Sequence, residues 1–227
     1  RDATTTSPFS DEADARTEPA PAAGVFPEGF YVTTNLETTV RWHGRWRPVN
    51  LIEMDCGIVL DPLRGRAVCT PMHRVRKGQQ VVVTDAGVRV TPLERQGRGA
   101  LFEFMGSDVS PEKPKGPLVQ AVAQELSKAR AAGRPCLLVL GPAVVHTGGA
   151  EAAAALVRDG YVGCLFAGNG LATHDMEAAI YGTSLGVPVS GGAALPAGHQ
   201  NHLRTINRVR ALGGIAPAVQ QGAITSG

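Results

Sequence analysis

The stretch CLLVLGPAVVHTGG (136–149), echoed by VGCLFAGNGLATHD (162–175), decides the fold. Cys136-Leu137-Leu138-Val139-Leu140 has the unbroken hydrophobicity of a strand buried on both faces, and it stops at Gly141-Pro142. A helix is expected from near Ala150. The second copy runs from Val162 to Ala167 and breaks at Gly168-Asn169-Gly170, with Thr173 placed to cap a helix whose first turn carries Asp175 and Glu177. Strand, loop and helix occur twice, the unit of a parallel α/β sheet. Such sheets bind ligands beyond the carboxyl ends of their strands, where helix N-termini favour anions. The GxGxxG string of dinucleotide folds is absent, so phosphate binding and a purely structural loop both stay open. Asn169 between two glycines reads equally as a ligand for ribose or phosphate and as a tight-turn residue.

Outward from this stretch, Leu118, Val122, Leu126 and Ala129 recur at helical spacing and predict a helix whose apolar stripe packs on the sheet. Leu185 to Gly198 shows no period, and a helix is expected over 201–212, apolar at Leu203, Ile206, Val209 and Leu212. Two or three parallel strands make an incomplete sheet. Residues 109–227 are therefore expected to be only the first part of a Rossmann-like domain.

Residues 24–108 have a different texture. Short β-branched and aromatic runs at 30–34, 39–42, 57–60, 67–70, 81–84 and 88–90 predict a small antiparallel barrel or sandwich. His43-Gly44 and Asp85-Ala86-Gly87 read as hairpin turns. Residues 1–23, rich in Thr, Ser, Ala, Pro and acids, read as a flexible tail or linker.

The 22 basic and 20 acidic residues leave a formal charge of +2, which does not call for nucleic acid. No run approaches the roughly 18 apolar residues of a membrane span, and no signal peptide is evident. Cysteines 56, 69, 136 and 164 lack zinc or disulfide spacing. A soluble cytoplasmic protein without nucleic acid, membrane or metal partners is expected.

Among chemistry-bearing residues, His146, His174, His199 and His202 fall in or beside the α/β loops, as proton carriers or as bystanders. Cys56 follows Glu53 and Asp55, which raise a thiol's pKa and suit a proton donor or a packed core cysteine. Arg74 can offer a bidentate guanidinium to a substrate carboxylate or simply sit in a surface turn. Trp42 and Trp46 with Arg41, Arg45 and Arg47 make an aromatic and basic ribbon that alternation on a hairpin explains without a partner.

The blocks GVFPEGFYVTTN (24–35), EMDCGIV (53–59), CTPMHRV (69–75), FEFM (102–105), GPAVVHTGG (141–149), AGNGLATHD (167–175), YGTSLG (181–186) and GHQNHLRTIN (198–207) carry a resemblance over about residues 24–227. The chain resembles the archaeal-type NAD-dependent ornithine cyclodeaminase family, LOR/SDH-related, which also forms the C-terminal part of cyanobacterial arginine dihydrolase proteins. The resemblance implies a β-rich subdomain followed by a Rossmann-like NAD domain. It implies conversion of L-ornithine to L-proline and ammonia, with hydride transferred transiently to NAD and the imine closed by the δ-amine. It places Asn169 and Gly170 at the cofactor, Gly170 where relatives often carry Ala, and makes the loop of His146, Thr147 and Gly148 part of the same site. Cys56, Asp175 and His199, polar residues of the matched blocks, are the catalytic candidates, and Arg74 the substrate-binding one. Family members extend on both sides of the matched region, so a homo-oligomer or assembly with a chain completing the NAD domain is expected. An enzyme for another basic amino acid, or a non-catalytic cofactor- or amino-acid-binding module, is the alternative.

Overall fold

A computed structural model describes residues 13–92, 115–189, 191–193, 195 and 198–226. In chain order the elements are β1 (Thr17–Pro19), β2 (Thr38–Trp42), β3 (Arg45–Asn50), β4 (Gly57–Asp61), β5 (Arg66–Thr70), β6 (Gln80–Val82) and β7 (Val88–Val90). There follow α1 (Lys115–Ala131), β8 (Leu137–Leu140), α2 (Ala143–His146), α3 (Ala150–Arg158), β9 (Cys164–Ala167) and α4 (Asn169–Tyr181). The chain continues through β10 (Thr183–Ser184), β11 (Val187–Pro188), α5 (Asn201–Ala211) and α6 (Ile215–Gln220). Two compact units result: residues 1–94 with 199–223, and 95–198 with 224–227.

The first unit is a seven-stranded sheet in the order β1-β6-β4-β5-β3-β2-β7, antiparallel except where β3 runs parallel to β5. Alternation sorts its side chains. Ile58 and Leu60 of β4 and Val82 of β6 enter one buried cluster, whereas Val59 and Val81 enter another with Phe26, Phe30, Met72 and Leu203 of α5. The Ala15 N–H donates to the Arg41 carbonyl of β2, so the chain just before β1 curls the sheet towards closure. His43 and Gly44, at φ 51° and 71°, form the expected tight turn between β2 and β3.

Several expectations change here. Thr17–Pro19, inside the expected flexible tail, pair with Gln80–Val82, because an edge strand needs backbone partners more than apolar side chains. Asp85-Ala86-Gly87 is no hairpin turn: β6 pairs with β1 and β4, while β7 pairs with β2. Phe30 to Thr34 form no strand, since the Thr33 backbone bonds the loop at Asp55 and Cys56. Helix α5 and the residues up to 223 belong to this unit rather than to the α/β part, its face of Leu203 and Val209 buried. FEFM and the expected boundary at 108 lie outside the described residues.

In the second unit β8 and β9 pair in parallel, Leu137 opposite Cys164 and Leu140 opposite Ala167. The expectation of strands buried on both faces fails: Val139 is 67% and Phe166 59% exposed. The α1 stripe fails likewise, with Leu118 at 67% and Val122 at 53% exposed. A sheet of two described strands is too narrow for helices to close over, and cavities of about 340 and 610 Å³ lie between it and α3–α4 and beside α1. Among the described residues no helix is long and apolar enough to cross a membrane.

Candidate functional site

Because β8 and β9 are parallel and in register, the chain leaves both at one edge. Gly141-Pro142 follows β8 and opens the single-turn helix α2, where a proline loses nothing by lacking an N–H. Gly168 follows β9 in extended backbone, and α4 begins at once with Asn169. The exposed Asn169 Oδ1 accepts the Gly170 N–H at 2.9 Å, a local bond that satisfies a first-turn donor. The helix therefore starts four residues earlier than Thr173. Thr173 is no cap, donating instead to the Asn169 carbonyl at 3.0 Å, and Asp175 and Glu177 stand mid-helix.

This early start brings α2 and α4 side by side. A Cβ on Gly170 would lie 3.2 Å from Pro142 Cγ, so only a very small residue fits without a shift. Four residues further on along each helix, the His146 and His174 rings meet edge to face, centroids 4.7 Å apart. At Gly141 and Gly168 a Cβ would meet nothing within 4 Å. Open space at two strand ends, beside the N-terminus of a 13-residue helix, is a cradle in which a phosphate can approach the backbone. Thr147 and Gly148 are exposed in the same loop, Thr147 Oγ1 donating to the Ala143 carbonyl at 2.8 Å.

Behind the cradle lies a polar cluster. Glu177 is completely buried and collects four donors: His174 Nδ1 at 2.9 Å and the Leu185 N–H at 3.3 Å on Oε2, Thr183 Oγ1 at 2.8 Å and the Gly186 N–H at 3.1 Å on Oε1. The two backbone donors come from the turn between β10 and β11, where Leu185 adopts φ 53°, a left-handed conformation costly for a bulky residue. The carboxylate holds that turn in place. Ser184, beside it, meets His146 Nδ1 at 2.6 Å. Burial first, and then the neighbouring His174, push the His146 imidazole below its ordinary pKa, against an opposing pull from Glu177. Half-buried Asp175 lines the 340 Å³ apolar cavity, and burial pushes its carboxyl above the usual range.

The remaining candidates belong to the first unit. Thr33 is its knot: Oγ1 donates to the Glu53 carbonyl at 2.5 Å, lies 3.6 Å from Cys69 Sγ and accepts the Cys56 N–H at 3.1 Å. Cys56 is buried, its thiol donating to the Met54 carbonyl, and burial with Cys69 alongside pushes it up to about 12. It stands as a core thiol rather than an open one. His199 is exposed in a 3₁₀ turn. His202 of the same block has its Nε2 3.0 Å from Asp55 Oδ1. Asp55 holds φ 60°, tolerable for Asp. Arg74 is exposed and makes no ion pair among the described residues. The Trp faces of the basic ribbon are covered by the protein's own arginines, Arg47 5.4 Å from Trp42 and Arg89 4.0 Å from Trp46.

Glu177, Ser184 and the Asp55–His202 pair were not singled out from sequence. The i, i+3 spacing of His174 and Glu177 was legible. The link to Ser184 was not, since it spans 38 residues and depends on how α2 and α4 align.

Comparison with known proteins places these units. Residues 37–119 match the family model "Arginine dihydrolase ArgZ-like, C-terminal, first region", and residues 120–227 match "Arginine dihydrolase ArgZ-like, C-terminal, Rossmann fold". An ornithine cyclodeaminase of Methanopyrus kandleri is 50% identical over 215 residues, covering 94% of this chain and 52% of the relative. The bifunctional arginine dihydrolase/ornithine cyclodeaminase AgrE of Nostoc sp. is 41% identical over 222 residues, covering 96% of this chain and 32% of the relative. The crystal structure of AgrE in ternary complex with ornithine and NAD+ aligns with a TM-score of 0.76 at 40% identity, over 96% of this chain and 30% of that one. The chain thus spans about half the length of the archaeal relatives. With two adjoining models matched from residue 37 to the end, a β-rich unit and a Rossmann-type unit in the matching order, the chain belongs to the ArgZ-like C-terminal family.

Proposed function

We propose that this chain forms the β-rich region and the first part of the NAD-binding domain of an ornithine cyclodeaminase, a lyase that converts L-ornithine to L-proline and ammonia. The observation that carries the reading is the match to AgrE bound to ornithine and NAD+, at 40% identity over 96% of the chain. The cradle beyond β8 and β9 suits the cofactor, with space at Gly141 and Gly168 and a helix N-terminus for its phosphates. Asn169 and Gly170, with Thr147 and Gly148 of the loop that leaves β8, are the residues assigned to hold it. The cofactor supplies, when bound, a reversible hydride acceptor for the substrate's α-carbon. The protein's part is to bind, orient and move protons. Arg74, exposed and without an ion pair among the described residues, is assigned to the substrate carboxylate. Four free thiols accord with a reducing cytoplasm, and the protein works as an oligomer or with a chain that completes the domain.

The intact protein, given NAD and L-ornithine deuterated at the α-carbon, should release ammonia and form proline that keeps the label, because the hydride removed is the hydride returned. Mass spectrometry of the product reads this directly. Absence of turnover by a sample shown to hold NAD refutes the assignment, and turnover of lysine or arginine in place of ornithine redirects it.

A further inference from the structure

We propose that His146 is the proton carrier of this reaction and that Ser184, His174 and Glu177 are the residues that position it. The inference rests on the cyclodeaminase reading above. Three sequence blocks, GPAVVHTGG and the more distant AGNGLATHD and YGTSLG, each contribute to one connected line: Ser184 to His146 at 2.6 Å, His146 to His174 ring against ring at 4.7 Å, His174 to Glu177 at 2.9 Å. Burial deepens along the line from the partly exposed His146 to His174 and the fully enclosed Glu177. The outer end stands in the loop that leaves β8, on the edge where the cradle lies.

The two ring nitrogens of His146 are not equivalent. Nδ1 is held by Ser184, and among the described residues Nε2 makes no hydrogen bond. When Nδ1–H donates to Ser184 Oγ, the Nε2 lone pair is open, and taking a proton there leaves the Ser184 bond intact. Glu177 fixes the inner ring by accepting its Nδ1–H, as a buried carboxylate orients an imidazole in hydrolase triads. The other groups facing His146 are His174 and Glu177: burial and His174 favour a neutral ring that is ready to accept, and Glu177 opposes them without overturning the balance. Cyclodeamination needs such a group twice. One proton leaves the substrate's α-ammonium for Nε2 before the hydride departs. The δ-amine attacks as its free base, and the proton that ring closure leaves on its nitrogen passes to solvent; the proton held on Nε2 then returns to the α-nitrogen as its bond to carbon breaks, so ammonia departs and His146 ends the cycle as it began.

Cys56, buried with a raised thiol, and His199, exposed and making no side-chain hydrogen bond among the described residues, offer no comparable line.

The test separates the relay from the reading beneath it. In a nitrogen-resolved NMR titration of the intact protein without cofactor, His146 should titrate below an ordinary histidine, and His174→Phe should raise it. An unchanged His146 titration in that variant overturns the relay whether or not the protein turns ornithine over. With saturating NAD and ornithine, occupancy being checked by quenching of protein fluorescence, His146→Asn should lower kcat by about 100-fold or more. Ser184→Ala should lower kcat about tenfold at unchanged KM. His174→Phe should move the acid limb of the kcat/KM profile upward, in step with the NMR value. A folded, NAD-binding His146→Asn protein within about threefold of wild type refutes the carrier role. Turnover lacking already in the wild type refutes the cyclodeaminase reading instead.

Discussion

Replacing Glu177 by Gln keeps the shape of a buried side chain and removes one acceptor, and the geometry says what that costs. Two donors converge on each carboxylate oxygen. Thr183 is a hydroxyl and His174 an imidazole, and either can turn round to accept from an amide. The N–H groups of Leu185 and Gly186 cannot. Whichever way the amide lies, one backbone donor of the turn faces an NH2 group. The favoured orientation sacrifices Leu185, whose bond is the longer at 3.3 Å against 3.1 Å for Gly186. One buried N–H without an acceptor costs about 1–3 kcal/mol. Glu177→Leu strands both N–H groups of a turn that already carries Leu185 at φ 53°, and breaking a buried charged hub in this way costs about 3–5 kcal/mol. Against a total of about 5–15 kcal/mol for a domain, the leucine variant should be close to unfolding. Urea denaturation of the intact protein should rank the midpoints wild type, Gln, Leu, with an unchanged slope. Both variants within about 0.5 kcal/mol of wild type, or leucine more stable than glutamine, would show that the carboxylate does not hold the turn.

Three further outcomes follow from local geometry. Iodoacetamide at mildly alkaline pH should label exposed Cys164, and Cys136 more slowly, while leaving Cys56 and Cys69 untouched, because both are buried from the reagent and the Cys56 thiol, pushed up to about 12, offers no thiolate; peptide mass spectrometry counts the adducts, and early labelling of Cys56 contradicts the packing. Gly57→Ala places a Cβ 2.8 and 2.9 Å from ring atoms of Phe26, itself 1% exposed, and should cost about 1–3 kcal/mol by thermal unfolding; a neutral result would mean the ring has somewhere to move. The Asp175 carboxyl is raised by burial, so the native state holds its proton more tightly than the unfolded chain does, and stability falls as pH rises from the ordinary carboxylate range through the raised value. Asp175→Asn removes that fall, and urea midpoints at about pH 4 and about pH 7 should show the variant equal at the lower pH and at least as stable at the higher. A variant clearly weaker at neutral pH would mean the charged form has a partner.

What the sequence disclosed depended on whether the cause was local. Hydrophobic runs ended by glycine located β8 and β9, and His43-Gly44 located its turn, since each depends on a few adjacent residues. The strands expected at 57–60 and 67–70 are β4 and β5 for the same reason. The errors lie where a distant partner decides. Thr173 has the chemistry of a helix cap, yet Asn169 bonds its own neighbour and starts the helix first. Thr17–Pro19 have the composition of a tail, yet they lie along β6. Helix α5 follows the α/β segment in sequence, but Asn207 accepts the Phe26 N–H at 2.8 Å and donates to the Phe26 carbonyl at 3.0 Å, a bond pair across 181 residues that fixes it to the β-rich unit. The candidate site divides in the same way. The open backbone at the two strand ends was legible from Gly141 and Gly168, whereas Asn169 read as well as a tight-turn residue. The proton line was not, because each histidine alone looks like a bystander. Only when Pro142 seats against Gly170 do the residues four places on, His146 and His174, face each other, and only then does a glutamate three residues further become the anchor of the ring that His146 rests on.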